Sequence, residues 1–398
     1  MNSDDPILSL LDRASTIFDE DISNNSSMLN DLVGSSKILV IGGAGSIGRS
    51  VVRELFRRNP SVLHVVDISE NSMVELVRDL RSSLGYIKGE FKTYSIDCGG
   101  REFEALVKAS YPYDYVFNLS ALKHVRSERD PFTLMRMIEV NILNTIKTIE
   151  LTRSENLKKY FCVSTDKAAN PVNMMGASKR IMEMFLVQKS EDVAISTARF
   201  ANVAFSDGSL PDGFRRRLDQ RQPLSAPSDV LRYFVTAKEA GELCLLSGLL
   251  GENNEIYFPN NQQLQPMSFS KIAVRFLESK GYEAVECSTE EEARAKVSEL
   301  ATQNKWPVHF TESNTTGEKP CEEFYTTTET LDLERYRSIG IVKNGHQQND
   351  DVLVNFINEI EKLHSIGVWQ KDQLVQLFQQ MIPDFNHIET GKFLDEKM

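Results

Sequence analysis

A short apolar run, Lys37 to Ile41, passes directly into Gly42-Gly43-Ala44-Gly45-Ser46-Ile47-Gly48. An amphipathic pattern follows at once, with Ile47, Val51, Val52, Leu55 and Phe56 on one side. No other feature narrows the fold as far. A strand must turn into a helix within a few residues. The glycines serve a tight turn, backbone approach to a ligand, and close helix–strand packing. The helix start offers free N–H groups and the positive end of its dipole, which together hold an anion. Gly42, Gly45, Ser46, Ile47 and Gly48 are therefore the expected phosphate-facing residues. Glycine-rich turns are common, so the signal lies in this one's place between a strand and a helix.

A second strand, Val62 to Val66, ends in Asp67. A carboxylate there accepts hydrogen bonds from the adenosine ribose and repels a 2′-phosphate, which favours NAD over NADP as cofactor. The competing reading is that Asp67 caps the next helix. A third strand, Lys92 to Ile96, runs into Asp97-Cys98, where Asp97 meets the adenine amino group or serves a turn. A fourth, Tyr115 to Leu119, leads to Ser120 and Ala121, small enough for a dinucleotide to lie against the strand end. His124 has no second His, Cys or acidic cluster beside it and reads as structural. Asn141 sits inside a long helical pattern, where a buried amide needs a partner, and is expected to bridge backbone near the site.

Strands and helices alternate from Lys37 to about Arg199, the pattern of an α/β fold with a Rossmann-like, doubly wound parallel sheet. The looser remainder suits a smaller C-terminal substrate-binding lobe. The expected division is an N-terminal helical extension (1–36), an NAD-binding domain (37–200), the lobe (201–345, boundaries interleaved, with an inserted strand–helix–strand at 281–312) and a C-terminal helical extension (346–398). Within these, Asp5 to Asp19 reads as one amphipathic helix burying Ile7, Leu8, Leu11, Ala14 and Phe18. Asn24 to Ser27 and Gly34 to Ser36 read as linkers, Thr236 to Leu250 as a helix, 350–382 as two helices, and the tail after Pro383 as less ordered.

The chemistry concentrates in Ser164-Thr165-Asp166-Lys167-Ala168-Ala169-Asn170-Pro171, followed by Met175-Gly176-Ala177-Ser178-Lys179-Arg180. An acid and a potential base stand side by side just after an apolar run, Lys159 to Val163. A short-chain nicotinamide dehydrogenase carries Tyr-x-x-x-Lys, with Tyr where Met175 stands. A thioether cannot act as a base, so the information in Met175 lies in what it replaces. The Asp-Lys pair without the phenol points away from alcohol oxidation and toward elimination on a sugar. Taken alone, Asp166-Lys167 would read as a surface ion pair; its joint occurrence with the glycine loop, Asp67 and Lys179 reverses that.

Composition excludes other classes. A net charge of −12 without a basic stripe argues against nucleic acid. The cluster Arg215-Arg216-Arg217 with Arg221 reads as a solvated helix face. Five scattered cysteines lack C-x-x-C spacing and read as reduced thiols of a cytoplasmic protein, with neither a disulfide frame nor a metal site. No apolar run of about 18 residues is present, so no membrane span is expected. The acidic N-terminus has no apolar signal-peptide core.

The motifs Lys123-His124-Val125, Ser164 to Ala168, Asn170-Pro171, Met175 to Arg180, Arg199-Phe200-Ala201-Asn202-Val203, Arg232-Tyr233-Phe234 and Gly317-Glu318-Lys319 occur in the order seen in bacterial polysaccharide-biosynthesis dehydratases. Over residues 37–340 the chain resembles the UDP-N-acetylglucosamine 4,6-dehydratases, in particular their subgroup with Met for Tyr. Ala201 departs from the usual Gly, and 281–312 is inserted before Gly317. The resemblance implies NAD, a UDP-N-acetylglucosamine substrate and a homo-oligomer. It implies that Lys167 takes the C5 proton as a neutral amine, with burial and Lys179 lowering its pKa. Asp166 would protonate the C6 hydroxyl, Thr165 bind the C4 hydroxyl and Lys179 hold the nicotinamide ribose. Lys123, Asn202 and Arg232 would contact the substrate, with the diphosphate on Asn202 and Arg232, and Glu318 would line the nucleotide pocket. Alternatives are a GDP-N-acetylglucosamine dehydratase, a nucleotide-sugar 4-epimerase, which would need a C4 base and no Asp-Lys pair, and a non-catalytic dinucleotide sensor.

Overall fold

A computed structural model describes residues 6–110, 112–343 and 350–392. Its centre is a nine-stranded sheet. Six parallel strands come first: β1 (Lys37–Ile41), β2 (Val62–Asp67), β3 (Glu90–Ser95), β4 (Tyr115–Asn118), β5 (Lys159–Thr165) and β6 (Ile195–Phe200). Then follow β7 (Asn202–Val203), β8 (Leu224–Pro227), β9 (Leu231–Arg232), β10 (Phe234–Val235), β11 (Glu255–Pro259) and β12 (Met267–Ser268). Last are β13 (Glu283–Glu286), β14 (Lys305–Thr311), β15 (Thr330–Asp332) and β16 (Ile339–Lys343).

The sheet order is β15-β16-β11-β6-β5-β4-β1-β2-β3, parallel except where β16 runs against β11 and β15 against β16. The order reverses between β1 and β4, and a ligand-binding crevice opens beyond the carboxyl ends of the strands at such a point. β1, β4 and β5 are buried almost throughout, as strands covered by helices on both faces must be. The Rossmann-like reading therefore holds. Strands from beyond residue 250 complete the main sheet, and helix Ala237–Leu250, capped by Thr236, packs on helix Ser46–Phe56. A separate three-stranded sheet, β13-β14-β8, carries the inserted segment, with helix Glu290–Ala301 between β13 and β14. β7 pairs with β10 and β9 with β12, placing Asn202 and Arg232 on two-residue strands beside the site.

The N-terminal expectation needs correction. A helix covers only Pro6–Leu10, and Asp12 then adopts a left-handed φ of 58°. The chain breaks because Glu239, the capping glutamate of helix Ala237–Leu250, captures it: Arg13 makes two hydrogen bonds to that carboxylate and the Ile17 N–H a third. The apolar positions still bury Leu8, Leu11 and Phe18. Ser26–Gly34, read largely as linker at its two ends, is a helix with Leu29 and Val33 in the core.

The C-terminal helices, Asp350–Ile366 and Lys371–Met381, join the core through Phe356, Leu374 and Phe378. The tail beyond Pro383 is held to residues 316–317 and to Val172. Gly317 N–H donates to Ile388 O at 2.9 Å, Thr316 N–H to Lys392 O at 2.9 Å, and Ile388 N–H to Val172 O at 3.0 Å. Residues 393–398 lie outside the described part of the chain. Among the described residues no helix is long and apolar enough to cross a membrane, and no cluster of His, Cys, Asp and Glu could hold a metal.

Candidate active site

The glycine loop is built for a phosphate. Gly42 has φ 73°, and a Cβ there would stand 2.6 Å from Ser120 N, so the β1 and β4 ends meet only because it is glycine. A Cβ on Gly48 would lie 2.1 Å from Gly42 O, which fixes close packing of the helix on the turn. Gly45 differs: the nearest atom to its added Cβ is Gly42 O at 3.7 Å. Helix Ser46–Phe56 begins there with no side-chain cap, leaving its first N–H groups for an anion. These features fit a dinucleotide. Ser46 Oγ is engaged by the Asp207 N–H at 2.9 Å, which ties the loop after β7 to the glycine turn.

Asp67 serves the loop as well as its own turn. Its Oδ2 accepts from Ala44 N and its Oδ1 from Ser69 N, both at 2.9 Å. Ser69, not Asp67, is the cap of helix Glu70–Leu84. Asp97 accepts from Gly99 N and pairs with Arg136 at 3.0 Å. Cys98 is buried, which pushes its thiol up to about 11 and leaves it a packing residue. Ser120 N is held by Asn118 Oδ1, and Ala121 follows it at the end of β4.

Asn141 bridges backbone, as its burial required. Its amide accepts from Leu122 N at 2.9 Å and donates to Leu122 O and to Ser178 Oγ. The helix opens there into one π-turn, Glu139–Leu143, a device common at functional sites. The loop after β4 is thereby pinned to helix Met174–Lys189.

The acid–base pair sits on a tight turn after β5. Thr165 Oγ1 donates to Asp166 Oδ1 at 2.9 Å, and Lys167 Nζ donates to the same oxygen at 3.1 Å. The next helix presses on this turn: a Cβ on Gly176 would lie 2.5 Å from Lys167 O. Met175 is buried in the core. Lys179 is buried too, its amine turned to Val163 O at 3.1 Å and to the Met182 sulfur, and burial lowers its pKa.

Sequence reasoning missed Glu322. Its carboxylate is buried, with Oε1 3.5 Å from Lys167 Nζ and 3.8 Å from Arg232. Its Oε2 is buried without a hydrogen-bond partner. The pKa of Lys167 shifts in the direction opposite to the one expected. Burial works to lower its pKa, but the charges of Asp166 and Glu322 outweigh burial and carry it above the ordinary lysine range.

Arg232 and Glu318 also differ from expectation. Arg232 Nη1 donates to the carbonyls of Leu231, Lys319 and Pro320, and Nη2 pairs with Glu318 at 3.3 Å. Glu318 accepts from Ser313 and Thr315 hydroxyls. The pair folds the 313–322 loop, so the guanidinium fork is committed to that loop before any diphosphate arrives. Lys123 reaches Ser206 Oγ at 3.5 Å, and its neighbour His124 lies beside Gly208. Arg215 and Arg216 are exposed and pair with Asp212 on their own helix, as a solvated face does.

Below the turn lies a buried ion cluster. Arg199, with no exposed side chain, forks onto both oxygens of Glu183 and onto Glu329. Glu183 also accepts from Ser164 Oγ at 2.6 Å, one residue before Thr165.

Residues 38–344 match the family described as polysaccharide biosynthesis protein. The chain belongs to that family. It is 32% identical over 225 residues to the capsular polysaccharide biosynthesis protein CapD of Staphylococcus aureus, covering 55% of this chain and 37% of that one. It thus spans little more than a third of CapD. It is 26% identical over 328 residues to a UDP-glucose 4-epimerase of Rickettsia bellii, covering 76% and 94%. In fold it resembles Pen from Bacillus thuringiensis, with a TM-score of 0.64 at 20% identity over 83% of this chain and 98% of that one. It also resembles the Bordetella bronchiseptica enzyme WbmF in complex with NAD+ and UDP, with a TM-score of 0.52 at 20% identity over 63% and 80%.

Proposed function

We propose that the protein is a nucleotide-sugar enzyme of the short-chain dehydrogenase type acting in polysaccharide biosynthesis. Within that class the proposal is an NAD-dependent 4,6-dehydratase. Its substrate would be UDP-N-acetylglucosamine and its product the UDP-linked 4-keto-6-deoxy sugar. The observation that carries this reading is the Asp166–Lys167 pair on the turn after β5, with Met175 where an alcohol-oxidising site needs a phenol.

The turn after β1 and the bare helix start at Ser46 would hold the dinucleotide's pyrophosphate, and Asp67 its adenosine ribose. Asp97, Cys98, Ser120 and Ala121 would line its path, and Lys179 would meet its second ribose. Bound there, the dinucleotide supplies a hydride acceptor that gives the hydride back to the same sugar. Thr165 would bind the C4 hydroxyl and pass its proton to water. The resulting 4-ketone acidifies the C5 proton. The Asp166–Lys167 pair then supplies one base for C5 and one acid for the C6 hydroxyl, which departs as water. Lys123 and Asn202 would face the substrate, and Arg232 with Glu318 would shape the loop that encloses it.

The test is a panel of nucleotide sugars incubated with the purified protein and catalytic NAD. Mass loss of one water from UDP-N-acetylglucosamine supports the proposal. The epimerase reading rests on the 26% identity to the Rickettsia enzyme. It would show as a product of unchanged mass.

A further inference from the structure

The Lys167 amine is set between two carboxylates carried by separate parts of the chain. Asp166 comes from the turn after β5 at 3.1 Å, and Glu322 from the 313–322 loop at 3.5 Å. Arg232, on β9, faces the same group and opposes the effect of the carboxylates, and Lys319 and Cys321 stand on the loop beside Glu322. Glu322 is no ordinary surface pair. Its side chain is 3% exposed, and one oxygen is buried with no partner. Leaving a carboxylate oxygen unpaired inside a protein is costly. Burial and the Asp166 charge raise the Glu322 pKa, while Lys167 and Arg232 work to lower it, so the carboxylate's place against Lys167 calls for a role beyond packing.

We propose that Glu322 is a positioning residue which, with Asp166, keeps Lys167 as the site's proton donor. On this view Lys167 protonates the departing C6 hydroxyl and Asp166 accepts the C5 proton, the reverse of the roles the resemblance implies. The inference rests on the dehydratase reading for its chemistry. The proton balance closes. The C5 proton goes to Asp166 as the C5–H bond breaks. A Lys167 proton goes to the C6 oxygen as the C6–O bond breaks and water leaves. Lys167, left as an amine, is recharged from water, which has received the proton of the C4 hydroxyl. The proton on Asp166 returns to C5 when the hydride arrives at C6.

The experiment has one arm that needs no substrate. In protein carrying 13Cε-lysine, the Lys167 resonance, identified by its loss in Lys167→Met, is titrated in the wild type, Glu322→Gln and Glu322→Asp. An opposite charge within a few ångströms shifts a pKa by about 1–3 units, so Glu322→Gln should lower the Lys167 midpoint by about one unit or more. Glu322→Asp should keep it near the wild-type value. An unmoved midpoint in the Gln variant overturns the proposal.

The second arm follows water loss from the nucleotide sugar against pH. A lysine acid must be protonated, so the rate should fall as pH rises through its midpoint. Glu322→Gln should move that falling limb to lower pH by the interval seen in the titration. A rate that rises with pH, or a uniform loss with the limb unmoved, overturns it. Absence of water loss in the wild type with every sugar would instead sink the dehydratase reading, while the titration still decides the effect of Glu322 on Lys167.

Discussion

Arg199 and Glu183 meet as a two-pronged fork inside the protein, at 2.9 and 2.7 Å. They join β6 to the helix that carries Met175 and Lys179. Glu329 completes the cluster at 2.8 Å from the same guanidinium, and Arg180 lies against both acids. Removing one partner leaves a buried charge uncompensated, a loss of about 3–5 kcal/mol. Glu183→Ala should therefore lower the unfolding free energy by that order in urea denaturation. A loss under about 1 kcal/mol would show that the cluster is not a stabilising unit.

The cluster also sets an acid limit. Burial works to raise the Glu329 pKa, but Arg199 and the Thr326 N–H outweigh it and hold it at about 2, against an ordinary 4.5. A depressed carboxylate contributes stability above its unfolded pKa and loses it as pH falls toward its folded one. Stability should decline between about pH 4.5 and pH 2, by on the order of 3 kcal/mol from this group. Glu329→Gln should be less stable at pH 7 and flatter across that window. Parallel curves for the two proteins would refute the assignment.

Gly42→Ala should disrupt cofactor binding before anything else. Its methyl would press on Ser120 N, at a φ that an L-residue rarely adopts. Calorimetric NAD binding should be lost or weakened at least tenfold, an effect of about 1.4 kcal/mol, with the fold retained. Unchanged affinity would mean that the dinucleotide lies elsewhere.

Asp67→Ala should weaken NAD and relax discrimination against NADP, because the carboxylate proposed to meet the ribose also holds the Ala44 N–H of the glycine turn. A wild-type preference for NADP would contradict this directly.

The reassigned roles separate in substrate chemistry. Asp166→Asn should block exchange of the C5 proton with deuterated solvent, whereas Lys167→Met should slow water loss while some exchange persists. General acids and bases contribute about 10²–10⁴-fold, so either variant working at a near-normal rate would remove its residue from the mechanism.

What the sequence made legible was local. β1 and β5 hold continuous apolar runs, β2 one broken by His64, and the glycine turn carries its reason in its own residues. The first helix was misread because Leu8, Leu11 and Phe18 keep an apolar rhythm while Arg13, reaching Glu239, breaks the backbone between them. Arg232 looked free for a diphosphate because nothing nearby in sequence shows the carbonyls of Lys319 and Pro320 that it binds. Glu322 carried no signal at all. It lies in a loop without periodicity, and the groups it faces, Lys167 and Arg232, are distant in the chain.

The backbone bonds from Thr316 and Gly317 to Lys392 and Ile388 give the far end of the described chain a share in the site. The loop bearing Glu318 and Glu322 is clamped on one side by Arg232 and on the other by these residues. Any event that frays 384–392 gives that loop back its conformational freedom. Glu322 would then leave Lys167, so the protonation of an amine on the turn after β5 is tied to the order of a surface strap.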